Sequence, residues 1–250
     1  MSETNAGSRP LKILCIHGYR QNAQMFREKS GSLRKMLKKY AEFDFVTAPH
    51  RVPPGNQGSA AWGLQQEQQQ NGEESLPEAE PGTSATQGDS DDPGERGWWF
   101  SREDDYFKSV DYSDISKGFD ASAEMIVAKL EENSYDGILG FSQGASMVSM
   151  LCLMQQQRGK QWFKFAVLIA GFKSRSTAHD VHYSGRSEIP SLHVYGETDQ
   201  IISESMSEEL LQYFRDPTIL RHPGGHFVPA ASAQKKGYMG FLNDMKVLCI

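Results

Sequence analysis

The stretch GFSQG at 140–144 sets one hydroxyl between two glycines, at the end of the apolar run 137–141 and the start of a run of small residues and methionines. A serine so placed can act as a nucleophile if the chain turns sharply there from strand to helix. Its neighbours two positions away must then be small, so that strand and helix can approach each other. Such a turn lifts the Ser142 hydroxyl above a sheet, at a helix N-terminus whose amides and dipole favour developing negative charge. The backbone N–H of Gln143 is then one oxyanion donor. A bare GxSxG also serves as a plain turn, so its placement between strand and helix carries the weight.

A serine hydroxyl is a weak nucleophile near neutral pH and needs a base, ordinarily a histidine oriented by a carboxylate. Two loops after later apolar runs offer the pair. GETDQII follows LHVYG and carries Asp199; PGGHFVPA follows TILRH and carries His226 behind Gly224 and Gly225, which permit a turn back over the sheet. Glu197 is the nearest rival for the acid, and a capping or solvated loop carboxylate is the bland reading of Asp199. Asp136 and Asp216 precede strands, at the wrong edge of a sheet. Among the other histidines, His17, His193 and His222 lie in or at the ends of strands, His179 and His182 in a polar loop, and His50 before a polar tract.

A second oxyanion donor would come from the loop after the first strand, where CIHGYRQN places the Tyr19 amide behind His17 and Gly18. Gly18 also reads as a tight turn only. Arg20 and Gln21 either line a substrate pocket or solvate its rim. Trp98, Trp99 and Phe100 follow the polar tract as GWWF, and are either core or a wall of an acyl pocket. The Met-rich segment after Ser142 reads as core packing.

The elements that must position these groups alternate. Apolar runs at 11–16, 43–48, 137–141, 165–171, 192–196 and 218–222 predict strands; helix-spaced apolar residues at 22–40, 117–131, 143–156, 203–214 and 231–247 predict helices. That alternation predicts an α/β fold with a doubly wound, mostly parallel sheet covered on both faces. A chain of 250 residues forms one such domain, here 10–250 after a flexible 1–9. Residues 54–96 break the rhythm: they are rich in Gln, Glu, Gly, Ser and Pro, and bury too little to offset their chain entropy. They read as a disordered surface insertion, or more sharply as a regulatory or docking segment.

Charge follows the same division. The formal net charge is −6, yet the stretch between Pro54 and Gly97 holds nine acidic residues against Arg96 alone, so the remainder is near neutral. Without a basic stripe or cluster, neither a nucleic-acid partner nor an anionic membrane surface is expected. Three cysteines without metal-like spacing, two of them inside apolar runs, predict reduced thiols in a cytoplasmic or nuclear protein. The polar N-terminus has no secretory pattern, and no run reaches the roughly 20 apolar residues of a membrane span.

Several of these segments, in order, resemble one known family. CIHGYRQNAQMFREKSGSLRK, APHRVP, GWWF, GFSQGA, LHVYGETDQII and GGHFVPA are similar to the serine hydrolase family first named in fungi, and to its animal esterase branch. The resemblance spans about residues 10 to 245. It implies an α/β-hydrolase fold and carboxylic ester hydrolysis without metal or cofactor, with Ser142 as nucleophile, Asp199 as acid and His226 as base. The insertion departs from the pattern but contains none of the three. The expected function is therefore a serine carboxylesterase acting on a small-molecule ester with a hydrophobic acyl group, medium or long in chain. The alternatives are an acyl thioesterase using the same residues, and a catalytically idle hydrolase scaffold that binds a protein through the insertion.

Overall fold

The computed structural model describes residues 9–54 and 94–249. The expected flexible N-terminus and most of the expected insertion lie outside the described residues. Six strands form one all-parallel sheet: β1 (Leu11–Ile16), β2 (Ala41–Val46), β5 (Gly137–Phe141), β6 (Phe165–Ile169), β7 (Ser191–Gly196) and β8 (Thr218–His222), in the order β2-β1-β5-β6-β7-β8. A two-stranded antiparallel ribbon, β3 (His50–Arg51) with β4 (Arg96–Gly97), stands apart from it. The helices are α1 (Ala23–Lys29), α2 (Gly31–Leu37), α3 (Phe119–Glu132), α4 (Gln143–Gln157), α5 (Glu204–Leu211) and α6 (Ser232–Cys249).

The chain steps from β1 outward to β2, then returns and builds the sheet in the opposite direction from β5. Right-handed crossovers taken in two directions place helices on opposite faces. The strand order reverses between β1 and β5, and in open α/β sheets the crevice beyond the strands' carboxyl ends at such a point is where ligands bind. The loop after β1 carries Tyr19; the turn after β5 carries Ser142. β5 and β6 are buried at every position and α4 along nearly all its length, as expected of elements covered on both sides. At the opposite edge of the sheet, Asp136 accepts from Arg9 at 2.6 and 2.8 Å and from the Lys12 amide at 2.8 Å. It is a structural carboxylate at the N-terminal ends of β1 and β5.

Four sequence expectations are corrected. The helix expected over 22–40 is two, because Ser30 turns its hydroxyl back onto the Phe26 carbonyl at 2.7 Å and lies between α1 and α2. The strand expected over 165–171 ends at Ile169, where Ala170 adopts a left-handed φ of 50°. Residues 94–96, the end of the expected insertion, are packed: the Glu95 carbonyl accepts from Val52, Arg96 pairs with Gln21, and the Gly94 carbonyl accepts from Asn22. The polar loop expected around His179 is a 3-10 turn, Thr177–Tyr183, that buries His179 and Tyr183.

Burial keeps three histidines neutral: it lowers the His17 pKa to about 4, and those of His179 and His193 to about 3. Each is therefore less protonated in the folded chain than in the unfolded one below the ordinary histidine value of about 6.5. Stability is expected to be full above about pH 6.5 and to fall steadily as the pH drops through 4, because there the unfolded chain binds more protons. Urea midpoints measured from pH 7.5 to 4 check this; a flat profile would contradict it.

Candidate active site

At the carboxyl end of β5, Ser142 has φ 54° and ψ −120°, a left-handed conformation that a residue with a side chain adopts only under constraint. Its amide donates to the Ile169 carbonyl at 2.9 Å, completing the β5–β6 ladder, and its carbonyl accepts from Ser146 at 3.0 Å in the first turn of α4. The turn is held on both sides. It is possible only because Gly144 has no side chain: a Cβ there would lie 2.3 Å from the Ile16 carbonyl oxygen and 2.4 Å from that of His17. The end of β1 and the start of α4 therefore touch backbone to backbone.

The Ser142 hydroxyl lies 3.0 Å from Nε2 of His226, and Nδ1 of His226 lies 2.8 Å from Oδ2 of Asp199. All three side chains are buried. The other carboxylate oxygen of Asp199 accepts from the amides of Ile201 and Ile202, both at 2.8 Å. Both oxygens of that carboxylate thus face donors, and its orientation toward the imidazole is fixed. The loops carrying the pair are laced together. The His222 carbonyl accepts from Glu197, and that of Pro223 from the Thr198 hydroxyl at 3.0 Å. A Cβ on Gly196 would meet the Gly224 carbonyl at 2.2 Å. Gly224 and Gly225 do not adopt left-handed backbone. What matters there is the close approach of Gly196 to their carbonyls, not a turn they permit. An imidazole held between a hydroxyl and a carboxylate can take the hydroxyl proton and stay oriented as it becomes charged.

In the loop after β1, the amides of Gly18, Arg20 and Gln21 are engaged by the Gln21 carboxamide oxygen, the Arg96 carbonyl and the Gly18 carbonyl. Tyr19 lies among them, and as first residue of α4 Gln143 has no carbonyl one turn back within the helix. Both amides belong to segments joined at the Gly144 contact. His17 pins the loop from below: Nδ1 donates to the Gly18 carbonyl at 2.7 Å and Nε2 accepts from the Ala48 amide at 3.0 Å.

The remaining expected site residues part company. Gln21 borders a cleft beside His226, together with Phe26, Lys29, Phe141, Phe227 and Val228. Arg20 instead turns to Glu95 at 2.6 Å, with φ 61° and a side chain only 8% exposed. Trp98, Trp99 and Phe100 are buried at 0%, 1% and 3% exposure, as the core alternative of their two readings has it. Trp98 is anchored by two hydrogen bonds, its indole N–H to the His17 carbonyl at 2.7 Å and its amide to Oε1 of Gln143 at 2.9 Å. The Gln143 carboxamide also donates to the Trp99 carbonyl at 2.8 Å. Gln143 was expected to contribute its amide alone. Its side chain, wholly buried, is the strut between α4 and the 96–99 segment, and nothing in local spacing distinguishes a strut from an ordinary helix-start glutamine.

Gln143→Ala would leave the Trp98 amide and the Trp99 carbonyl buried and unpaired, at a cost of about 2–4 kcal/mol in unfolding free energy. Gln143→Glu keeps an acceptor for Trp98 but sets a carboxylate oxygen against the Trp99 carbonyl, so it should destabilise as well. Denaturant unfolding of both variants checks this; either one matching the wild type would contradict the strut.

Comparison with known proteins agrees with the fold and with the chemistry available here. The family model described as "Serine hydrolase (FSH1)" matches residues 6–238. The esterase OVCA2 of Danio rerio is 44% identical over 238 residues, covering 93% of this chain and 96% of that protein. A variant of SOBER1 from Arabidopsis thaliana has the same fold, with a TM-score of 0.56 at 12% identity over 94% of this chain and 99% of its own. So does acyl-protein thioesterase 2 of Zea mays, with a TM-score of 0.54 at 16% identity over 96% of each chain. The chain belongs to the FSH1 serine hydrolase family, whose animal members include named esterases, and it is a serine hydrolase with an α/β-hydrolase fold.

Proposed function

We propose that this serine hydrolase is a carboxylesterase that works through an acyl-enzyme on Ser142. The observation that carries the reading is the continuous hydrogen-bonded line Ser142–His226–Asp199, at 3.0 and 2.8 Å, at the strained turn that opens α4. His226 takes the Ser142 proton on Nε2 as Oγ attacks the ester carbonyl carbon. The amides of Tyr19 and Gln143 receive the negative charge on the carbonyl oxygen, aided by the positive end of α4. His226 then passes its proton to the departing alkoxide, which leaves as the alcohol. In the second half, water gives a proton to His226 while its oxygen attacks the acyl carbon; Ser142 regains the proton and the acid is released. Asp199 holds the imidazolium throughout. The aromatic and aliphatic lining beside His226 supports a substrate with apolar groups near the scissile bond. With 98–100 sealed in the core, any preference for a medium or long acyl chain rests on other walls.

Cys15 and Cys152 are buried free thiols whose pKa values burial pushes up. Among the described residues no helix is long and apolar enough to cross a membrane.

Hydrolysis of p-nitrophenyl esters from acetate to palmitate tests the assignment. Ser142→Ala should lose about a millionfold in kcat, and Asp199→Asn about ten-thousandfold, with both variants folded. Turnover that survives in Ser142→Ala would refute the nucleophile. Thioesters of the same acids, assayed beside the oxygen esters, rank the two leaving atoms.

A further inference from the structure

The loop after β1 turns tightly over residues 18–21. The Gly18 carbonyl accepts from the Gln21 amide at 3.2 Å, which closes a four-residue β-turn whose third residue, Arg20, has a left-handed φ of 61°. Turns with a left-handed third residue favour glycine or asparagine there, because other side chains crowd the backbone. Arginine is the costlier choice, so its side chain is where a reason must lie.

That side chain is buried rather than solvated. Only 8% exposed, it meets a Glu95 carboxylate oxygen at 2.6 Å, and Cζ of its guanidinium lies 5.6 Å from the centre of the Tyr19 ring. The Arg20 amide donates to the neighbouring Arg96 carbonyl at 2.9 Å, and Glu95 is itself held by the Val52 amide on its carbonyl at 3.0 Å. Backbone and side chain of Arg20 are thus both tied to the 95–96 segment. Tyr19 is enclosed from other sides: a Cβ on Gly97 would lie 3.1 Å from its ring, and the Phe107 ring packs on it at 5.3 Å between centres.

What this turn orients is one peptide unit. In a trans peptide the carbonyl and the following N–H point in opposite directions, so whatever holds the Gly18 carbonyl also aims the Tyr19 N–H. That carbonyl has two donors, the Gln21 amide across the turn and Nδ1 of His17 at 2.7 Å. The amides of Gly18, Arg20 and Gln21 are all engaged, whereas the Tyr19 amide between them has no acceptor among the described residues. In a residue only 5% exposed, an N–H without a partner is rare, and it is what an oxyanion donor requires.

From these observations, and resting on the serine esterase reading, we propose that Arg20 is a positioning residue of the oxyanion hole, locked by Glu95. It does not touch the substrate. It keeps the 18–21 turn closed, and the closed turn keeps the Tyr19 N–H aimed where the carbonyl oxygen takes up negative charge. Glycine at position 20 would make the turn easier to form and also easier to leave.

The test is hydrolysis of p-nitrophenyl butyrate by the wild type, Arg20→Gly, Arg20→Lys, Glu95→Gln and the double variant Arg20→Gly/Glu95→Gln, with thermal unfolding of each. Arg20→Gly is expected to lower kcat about tenfold or more at unchanged KM, short of the roughly hundred- to thousandfold loss on deleting a donor outright. Its Tm should fall by no more than a few degrees, because glycine relieves the left-handed strain. Arg20→Lys, which keeps a cation beside Glu95, should recover part of the loss, and Glu95→Gln, which keeps an acceptor without the charge, should lie between the wild type and Arg20→Gly. The double variant should be no slower than Arg20→Gly, since both residues act through one contact. A trifluoromethyl ketone, whose adduct on Ser142 carries an oxyanion, should lose affinity across the variants in step with kcat/KM. Wild-type kcat in Arg20→Gly would overturn the proposal, and so would a raised KM at unchanged kcat, which would make Arg20 a substrate contact. Should Arg20→Gly fail to fold, the two conservative variants carry the test, and wild-type kcat in both would overturn it equally. A wild type that neither takes a fluorophosphonate label on Ser142 nor turns over any ester refutes the esterase reading beneath; a labelled wild type with unaltered variants refutes the role of Arg20 alone.

Discussion

The backbone of α4 rests against the carbonyls of Ile16 and His17, and no side chain fits between them. This contact at Gly144 seats the start of α4 on the end of β1, where the strand order reverses. β1 and β5 are hydrogen-bonded neighbours, so their following segments emerge side by side; whether they cooperate depends on how closely the helix after β5 seats over the end of β1. Glycine lets it seat fully. The same closeness forces the chain at Ser142 into its left-handed turn and aims the helix N-terminus at the crevice.

The remaining parts of the site are fastened to this joint by hydrogen bonds that local propensity alone does not require. The Gln143 carboxamide holds the 98–99 backbone, the Trp98 indole holds the His17 carbonyl, and Arg96 exchanges hydrogen bonds with the backbone of Arg20 and Gln21. These bonds form a circuit from the start of α4, through the 94–99 segment, to the loop after β1 and back. Two backbone amides from different elements are thereby kept in a fixed relation, which preorganised charge stabilisation demands. Loops need such external fastening because they lack a ladder of their own. On the opposite flank, the loops carrying Asp199 and His226 fasten to each other through Gly196, Thr198 and the carbonyls of 222–224.

Much of this was legible in the sequence, for a reason that applies to some residues and not to others. Period and flanking glycines placed the six main strands within about two residues of their bounds, and the order Ser142, Asp199, His226 followed from where each lies after its strand. Those signals are local. The side chain of Gln143, the burial of Trp98 and Trp99, and the engagement of Arg20 with Glu95 depend on partners 44 to 75 positions away, and no local pattern encodes them. His179 shows the same limit. In a stretch of polar residues it reads as a loop histidine, yet both ring nitrogens meet serine hydroxyls, Ser174 at 2.7 Å and Ser116 at 2.5 Å, in a site closed by Phe119 and Trp99. Composition misjudged the edge of the polar tract, because Glu95 and Arg96 are held by backbone bonds and Gly94 by the Asn22 side chain, partners that lie far away in sequence.

The central claim is that Ser142 is made nucleophilic by His226. Labelling the intact protein with a fluorophosphonate and mapping the adduct by peptide mass spectrometry tests it most directly, on the wild type and on His226→Ala. The account predicts a single adduct on Ser142 and a labelling rate that collapses in His226→Ala while the variant stays folded. An adduct on another residue, or Ser142 labelled equally fast without the imidazole, would contradict it.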